Sequence, residues 1–195
     1  MKLIRMVKVG NITNLSDARY CAGMGVDMLG FTTIEKQPGY VGPETFQEFR
    51  GWFNGPSVVA EVYGLPDGET LHEIMRNYLP DFVELGIAEL PFVDLPSLAL
   101  IVSTRGMQSA EKFLQQLATI HNQVAFILAE EEVEASDLKS ISDHYPVLLQ
   151  LTKPVDEHVL ALPVKGFALK GNTEEKPGLK SYENLATVLE YLTKD

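Results

Sequence analysis

Cysteine is almost missing from this chain of 195 residues: Cys21 is the single one, which excludes an internal disulfide. It falls on the apolar face of the first expected helix, where it reads as a small buried hydrophobe. Long apolar runs are missing too. None approaches the roughly 20 residues that span a bilayer, and Met1-Lys2-Leu3-Ile4-Arg5 opens no long apolar stretch with a cleavage site, so a cytoplasmic protein is expected. Basic charge is scarce: 16 Lys and Arg stand against 27 Asp and Glu, a net charge of −11. A chain that tracks phosphates needs a basic stripe, and none is visible, which argues against nucleic acid. The four histidines show no zinc spacing, and no Ser or Cys sits beside a plausible base. Neither a metal nor a cofactor is therefore expected. No G-x-G-x-x-G fingerprint follows the first strand, where Gly10-Asn11-Ile12-Thr13-Asn14 stands instead, and this weakens a dinucleotide-binding reading.

What is present suits one domain over residues 1–195, with 45% hydrophobic and 22% charged residues, enough for a single core. Short apolar runs alternate with amphipathic stretches, the signal of repeated strand-helix units. Strands are expected at 6–12, 27–32, 57–63, 81–85, 98–103, 123–129, 145–151 and 164–169. Between them Phe46, Phe49 and Phe53 recur at helical spacing, as do Leu71, Ile74, Met75 and Tyr78, then Phe113, Leu117 and Ile120, then Tyr182, Leu185, Leu189 and Leu192. Eight such units close into a (β/α)8 barrel, or fewer make an open doubly wound sheet. The barrel needs trimming, since the lower limit is about 200 residues. The connection from Ile87 to Ser97, between the fourth and fifth strands, is short and holds Pro91 and Pro96, which resist a regular helix.

Two terminal motifs carry a resemblance. Val7-Lys8-Val9-Gly10-Asn11-Ile12-Thr13-Asn14, Asp17-Ala18, Gly25 to Phe31 and Lys36-Gln37-Pro38-Gly39-Tyr40-Val41 follow the order K-V-C-G-I-T-N, D-A, G-A-D-A-L-G-F and K-S-P-R-Y-V. Gly166 to Ser181 lines up on G-V-D-V-S-S-G-V-E-x-x-P-G-x-K-D, keeping Gly166, Glu174, Pro177, Gly178 and Lys180. The chain thus resembles the phosphoribosylanthranilate isomerases, and the likeness implies a TIM barrel in tryptophan biosynthesis that performs an Amadori rearrangement. That reaction needs a general base for the C2 proton and a general acid for the ring oxygen. The family's Cys base falls on Gly10 and its Asp acid on Ala129, neither of which transfers protons. A slip of one residue at the sixth strand would bring Glu130 to the acid's place, which requires a bulge or the strand's very end.

Further candidates come from the strand ends. Glu61 and Glu84 interrupt apolar strands, so at least one should face the barrel interior, paired with Lys8 or acting as a new base. The family's phosphate grip after the seventh and eighth strands is replaced by Lys153 and by Lys170-Gly171-Asn172, which could hold a phosphorylated small molecule or line the rim as surface residues. Asn11, Thr32, Tyr63 and Arg105 lie near strand ends and suit either a ligand or a cap. The run Glu130-Glu131-Glu132-Val133-Glu134 reads as the approach to a helix N-terminus rather than a cation site. The alternatives to an isomerase are a barrel that binds an anionic small molecule and a ligand-free scaffold, as a monomer or a homodimer.

Overall fold

The computed structural model describes residues 3–152, 155–171 and 183–193. Eight parallel strands close on themselves in chain order: β1 (Met6–Gly10), β2 (Met28–Thr32), β3 (Ser57–Glu61), β4 (Phe82–Leu85), β5 (Ala99–Ser103), β6 (Gln123–Ala129), β7 (Val147–Gln150) and β8 (Gly166–Lys170). The ring is sealed by β1 against β8, with Lys8 opposite Ala168 and Gly10 opposite Lys170. Helices α1 (Leu15–Gly23), α2 (Pro43–Arg50), α3 (Gly68–Tyr78), α4 (Ala110–Leu117), α5 (Ala135–Ser142), α6 (Glu157–Ala161) and α7 (Glu183–Tyr191) surround it. The β4–β5 connection makes only a 3-10 turn, Ile87–Phe92, with Pro91 inside it. This is the trimmed (β/α)8 barrel that the resemblance implies, and of the two arrangements the alternation leaves open it is the closed one. Among the described residues no helix is long and apolar enough to cross a membrane.

Side-chain alternation sorts the strands into two cores. The larger lies between barrel and helices and holds Val7, Val9, Leu29, Phe31, Val58 and Ala60 with Phe46, Phe49, Leu71, Ile74, Phe113, Leu117, Leu189 and Cys21. The smaller fills the barrel: Met28, Val59, Ile101, Leu128, Leu148 and Ala168, flanked by Met6, Phe82 and Phe126. The amphipathic stripes are thus core faces. Tyr182 lies outside the described residues, as do Lys153 and Asn172.

Capping and loop chemistry fix the units. Asn14, Asp67, Ser109 and Asp156 each accept a backbone N–H in the first turn of α1, α3, α4 and α6. Asp27 and Asp81 work at the opposite end of the barrel. Asp27 Oδ2 accepts from the Val7 N–H at 2.8 Å, and Asp81 Oδ2 from the Val58 N–H at 2.7 Å, so each ties the entry of one strand, β2 or β4, to the strand just before it.

Three strands are shorter than expected at their C-terminal ends. β1 stops at Gly10 because Asn11 takes a left-handed φ of 54°, a conformation Asn tolerates better than most residues. β3 stops at Glu61 and β7 at Gln150, although the Val62 and Leu151 N–H groups each still donate to the neighbouring strand, to Glu84 O and Ala168 O. The remaining irregularity is in β6. Leu100 pairs with Val124 but Ile101 with Phe126, so Ala125 is an extra residue and the strand carries a bulge.

Candidate functional site

The bulge decides what β6 presents to the barrel. Beyond it Phe126 and Leu128 belong to the interior core, whereas Ala129 is fully buried in the outer layer. Glu130, one residue past the strand, therefore continues the inward phase. Ala129 does not occupy an interior position, and the carboxylate at the end of β6 is that of Glu130. Its Oε1 accepts from Ser103 Oγ at 3.1 Å, and its backbone N–H donates to Thr104 Oγ1 at 3.0 Å.

Across the barrel, β1, β3 and β4 bring three charges together. Lys8 Nζ lies 2.7 Å from Glu61 Oε1 and 2.8 Å from Glu84 Oε2, all three side chains being at least nine-tenths buried. Both carboxylates that interrupt the apolar strands thus face inward. Glu61 Oε2 also accepts from the Asn11 N–H at 3.1 Å and from Thr32 Oγ1 at 3.3 Å. Glu84 Oε1 accepts from Tyr63 OH at 2.9 Å, whereas its Oε2 has the ion-pair contact with Lys8 but no well-angled hydrogen bond. Burial works against the Lys8 charge, but Glu61 and Glu84 outweigh it and hold the ammonium above its ordinary range. Burial pushes Glu84 up; Lys8 opposes this and the Glu61 charge adds to it. Burial and the same two carboxylates keep the Tyr63 phenol well above its usual value, so Tyr63 remains a donor.

Gly10 explains why this triad fits. A Cβ at Gly10 would meet Glu61 Oε1 at a non-physical approach and Lys8 Nζ at 2.8 Å, and one at Gly30 would meet the same Glu61 oxygen. The Glu61 carboxylate therefore occupies the space that side chains at the end of β1 and the middle of β2 would take. Gly39 is closed in a similar way: its φ is 82°, and a Cβ there would run into Asn11 Oδ1.

These groups line one cavity of about 360 Å³ at the C-terminal mouth of the barrel, the face where barrel loops gather. Glu61, Glu84, Glu130, Asn11, Arg105 and Lys170 all contribute to its wall. The Gly171 N–H is already donated to Gly10 O at 2.7 Å, so it supplies no free amide to an anion. Lys170 is exposed at the rim. Lys153 and Asn172 fall outside the described residues. Ser103 and Gln150 were not singled out by sequence reasoning: both are buried beside the cavity, and their strand parity was the signal that could have found them. His72 and His158 lie in α3 and α6, outside this cavity, and among the described residues no cluster of His, Cys, Asp and Glu could hold a metal ion.

No family model matches the chain. An N-(5'-phosphoribosyl)anthranilate isomerase of Sulfurihydrogenibium sp. (strain YO3AOP1) is 25% identical over 200 residues, covering 92% of this chain and 95% of the relative. Among solved structures, the phosphoribosylanthranilate isomerase of Thermus thermophilus superposes with a TM-score of 0.73 at 20% identity, covering 96% of this chain and 98% of that one. A monomeric form of the dimeric Thermotoga maritima isomerase gives 0.72 at 17% identity, covering 96% and 97%. Another isomerase structure, in complex with reduced 1-(o-carboxyphenylamino)-1-deoxyribulose 5-phosphate, gives 0.70 at 17%, covering 96% and 97%. Along nearly its whole length the chain is thus similar in sequence to a phosphoribosylanthranilate isomerase, and it shares the barrel fold of solved structures of such isomerases.

Proposed function

We propose that this barrel binds a phosphorylated, sugar-derived small molecule at its mouth and carries out a slow aldose–ketose isomerisation in which Glu61 and Glu130 take the places of the family's Cys and Asp. The observation that supports this most is the seating of Glu61: its carboxylate fills the space left by Gly10, facing the cavity that Glu130 lines from the end of β6. An Amadori rearrangement needs a proton delivered to the ring oxygen and another removed from C2. Glu130, held by Ser103 and bordering the cavity, is suited to deliver the first. Glu61 is suited to remove the second, and Lys170 at the rim to hold a phosphate as a point charge. Phosphate recognition is in keeping with the phosphorylated ligand named for one of the solved relatives.

A second reading is favoured by one feature. Both oxygens of Glu61 already have partners in Lys8, Thr32 and the Asn11 N–H, so accepting a substrate proton requires one of these contacts to loosen. On that reading the protein binds the phosphosugar without turning it over.

Substrate fluorescence decides between them. With N-(5'-phosphoribosyl)anthranilate the isomerase reading expects turnover above the uncatalysed rate but at least about a thousandfold below an ordinary enzyme, since displacing a proton-transfer group typically costs 10²–10⁴-fold. Turnover in the usual enzymatic range would refute the weakened pair. No turnover, together with a melting temperature raised by ribose 5-phosphate, would favour binding alone.

A further inference from the structure

Of the cations that line the mouth cavity among the described residues, Lys8 is neutralised by two carboxylates and Lys170 stands at the outer edge of β8. Arg105 differs from both. It follows β5, its guanidinium carbon lies 4.6 Å from the centroid of the Tyr63 ring, and its side chain is 54% exposed. Among the described residues its one ionic neighbour is Glu130 Oε1 at 3.7 Å, too long for a hydrogen bond. Among the described residues the guanidinium makes no hydrogen bond at all, although it carries five N–H donors in a fixed fork. Tyr63 is itself anchored through its OH to Glu84, so the ring under Arg105 is a fixed platform.

A guanidinium positioned on a rigid ring, beside a cavity, with its donors unspent, is arranged for a ligand. We propose that Arg105 is an oxyanion clamp of this site: a carboxylate or phosphate of the ligand docks on its fork and displaces Glu130, which is thereby released toward the cavity. β5 and β8 are not neighbours in the ring, so Arg105 and Lys170 mark separate sides of the mouth. The favoured ligand therefore carries two anionic groups, one for each cation. This inference rests on the mouth being the ligand site, as proposed above, but not on any turnover there.

Calorimetric titration with benzoate and, separately, inorganic phosphate tests it on the parent protein, Arg105→Met, Arg105→Lys and Glu130→Gln. The clamp predicts that one of the two probes binds the parent and binds Arg105→Met at least about tenfold more weakly, because charge-assisted hydrogen bonds are lost. Arg105→Lys should recover only part of that loss, lacking the fork. Glu130→Gln should bind more tightly, the competing carboxylate charge being gone. Which probe responds tells carboxylate from phosphate. Equal affinity in the parent and Arg105→Met, or no binding of either probe to the parent, overturns the clamp. Turnover of the phosphosugar is measured separately, so a failed clamp leaves the isomerase reading standing and the reverse also holds.

Discussion

Gly10 is the residue on which the site turns, and its replacement is the sharpest local test. Gly10→Ala places a methyl against Glu61 Oε1 and Lys8 Nζ, and overpacking of this kind costs about 1–3 kcal/mol. In a Glu61→Ala background the cost should largely vanish, which urea denaturation of the four proteins of the cycle would show as a coupling. Lys8→Met should destabilise by roughly 3–5 kcal/mol, because two buried carboxylates lose their counter-charge, and Lys8→Met with Glu61→Gln and Glu84→Gln should be much milder. Glu84 adds a pH dependence. Its folded pKa is raised, so its contribution is fully present below the unfolded carboxylate range and is lost as pH rises through the folded value. Glu84→Gln should therefore remove part of the stability decline on the alkaline side of pH 4.5, as read from melting curves across that window. That at least one of Glu61 and Glu84 faces inward was legible in the sequence, since a carboxylate inside an apolar strand must find a partner; that both do so was not. That Gly10 and Gly30 clear the space for it was not, because a glycine announces room without saying what fills it.

At the scale of elements, the positions of the eight strands and the helix faces followed from periodicity, while closure of the sheet and the strand ends did not. Asn11, Ile12, Val62 and Tyr63 are compatible with strands by composition, yet the left-handed turn at Asn11 ends β1, and β3 ends at Glu61 although the Val62 N–H still donates to Glu84 O. The bulge at Ala125 was likewise hidden, because a small residue between Val124 and Phe126 fits either face. Its consequence is large: it sets Glu130 rather than Ala129 in phase with the interior. Deleting Ala125 should remove the bulge and leave Phe126 opposite Ile101, so that Phe126, Leu128 and Glu130 keep their inward phase and the barrel still melts cooperatively; loss of the folded state on this deletion would contradict the bulge. The aspartates at the strand entries offer a milder test. Asp81→Ala leaves the Val58 N–H without its acceptor and should cost about 1–3 kcal/mol, with the loss of amide protection concentrated at Val58.

For the whole molecule, a closed eight-stranded barrel is reached in 195 residues by reducing the β4–β5 connection to a 3-10 turn, and its mouth gathers groups from β1, β3, β4, β5, β6 and β8. Closure is what makes residues distant in sequence act together: Lys8, Glu61 and Glu84 meet inside the ring, and Glu130 borders the same cavity from the other side. On the proposed function Glu61 and Glu130 move the protons. The most direct measurement is the rate of N-(5'-phosphoribosyl)anthranilate consumption, followed by loss of fluorescence, in the parent, Glu61→Gln and Glu130→Gln. Both variants keep a partner for Lys8 in Glu84, so their folding can be verified by melting curves. The account predicts a slow parent rate that falls at least about a hundredfold in each variant. A parent rate no greater than the uncatalysed one, or variants that match the parent, would contradict it.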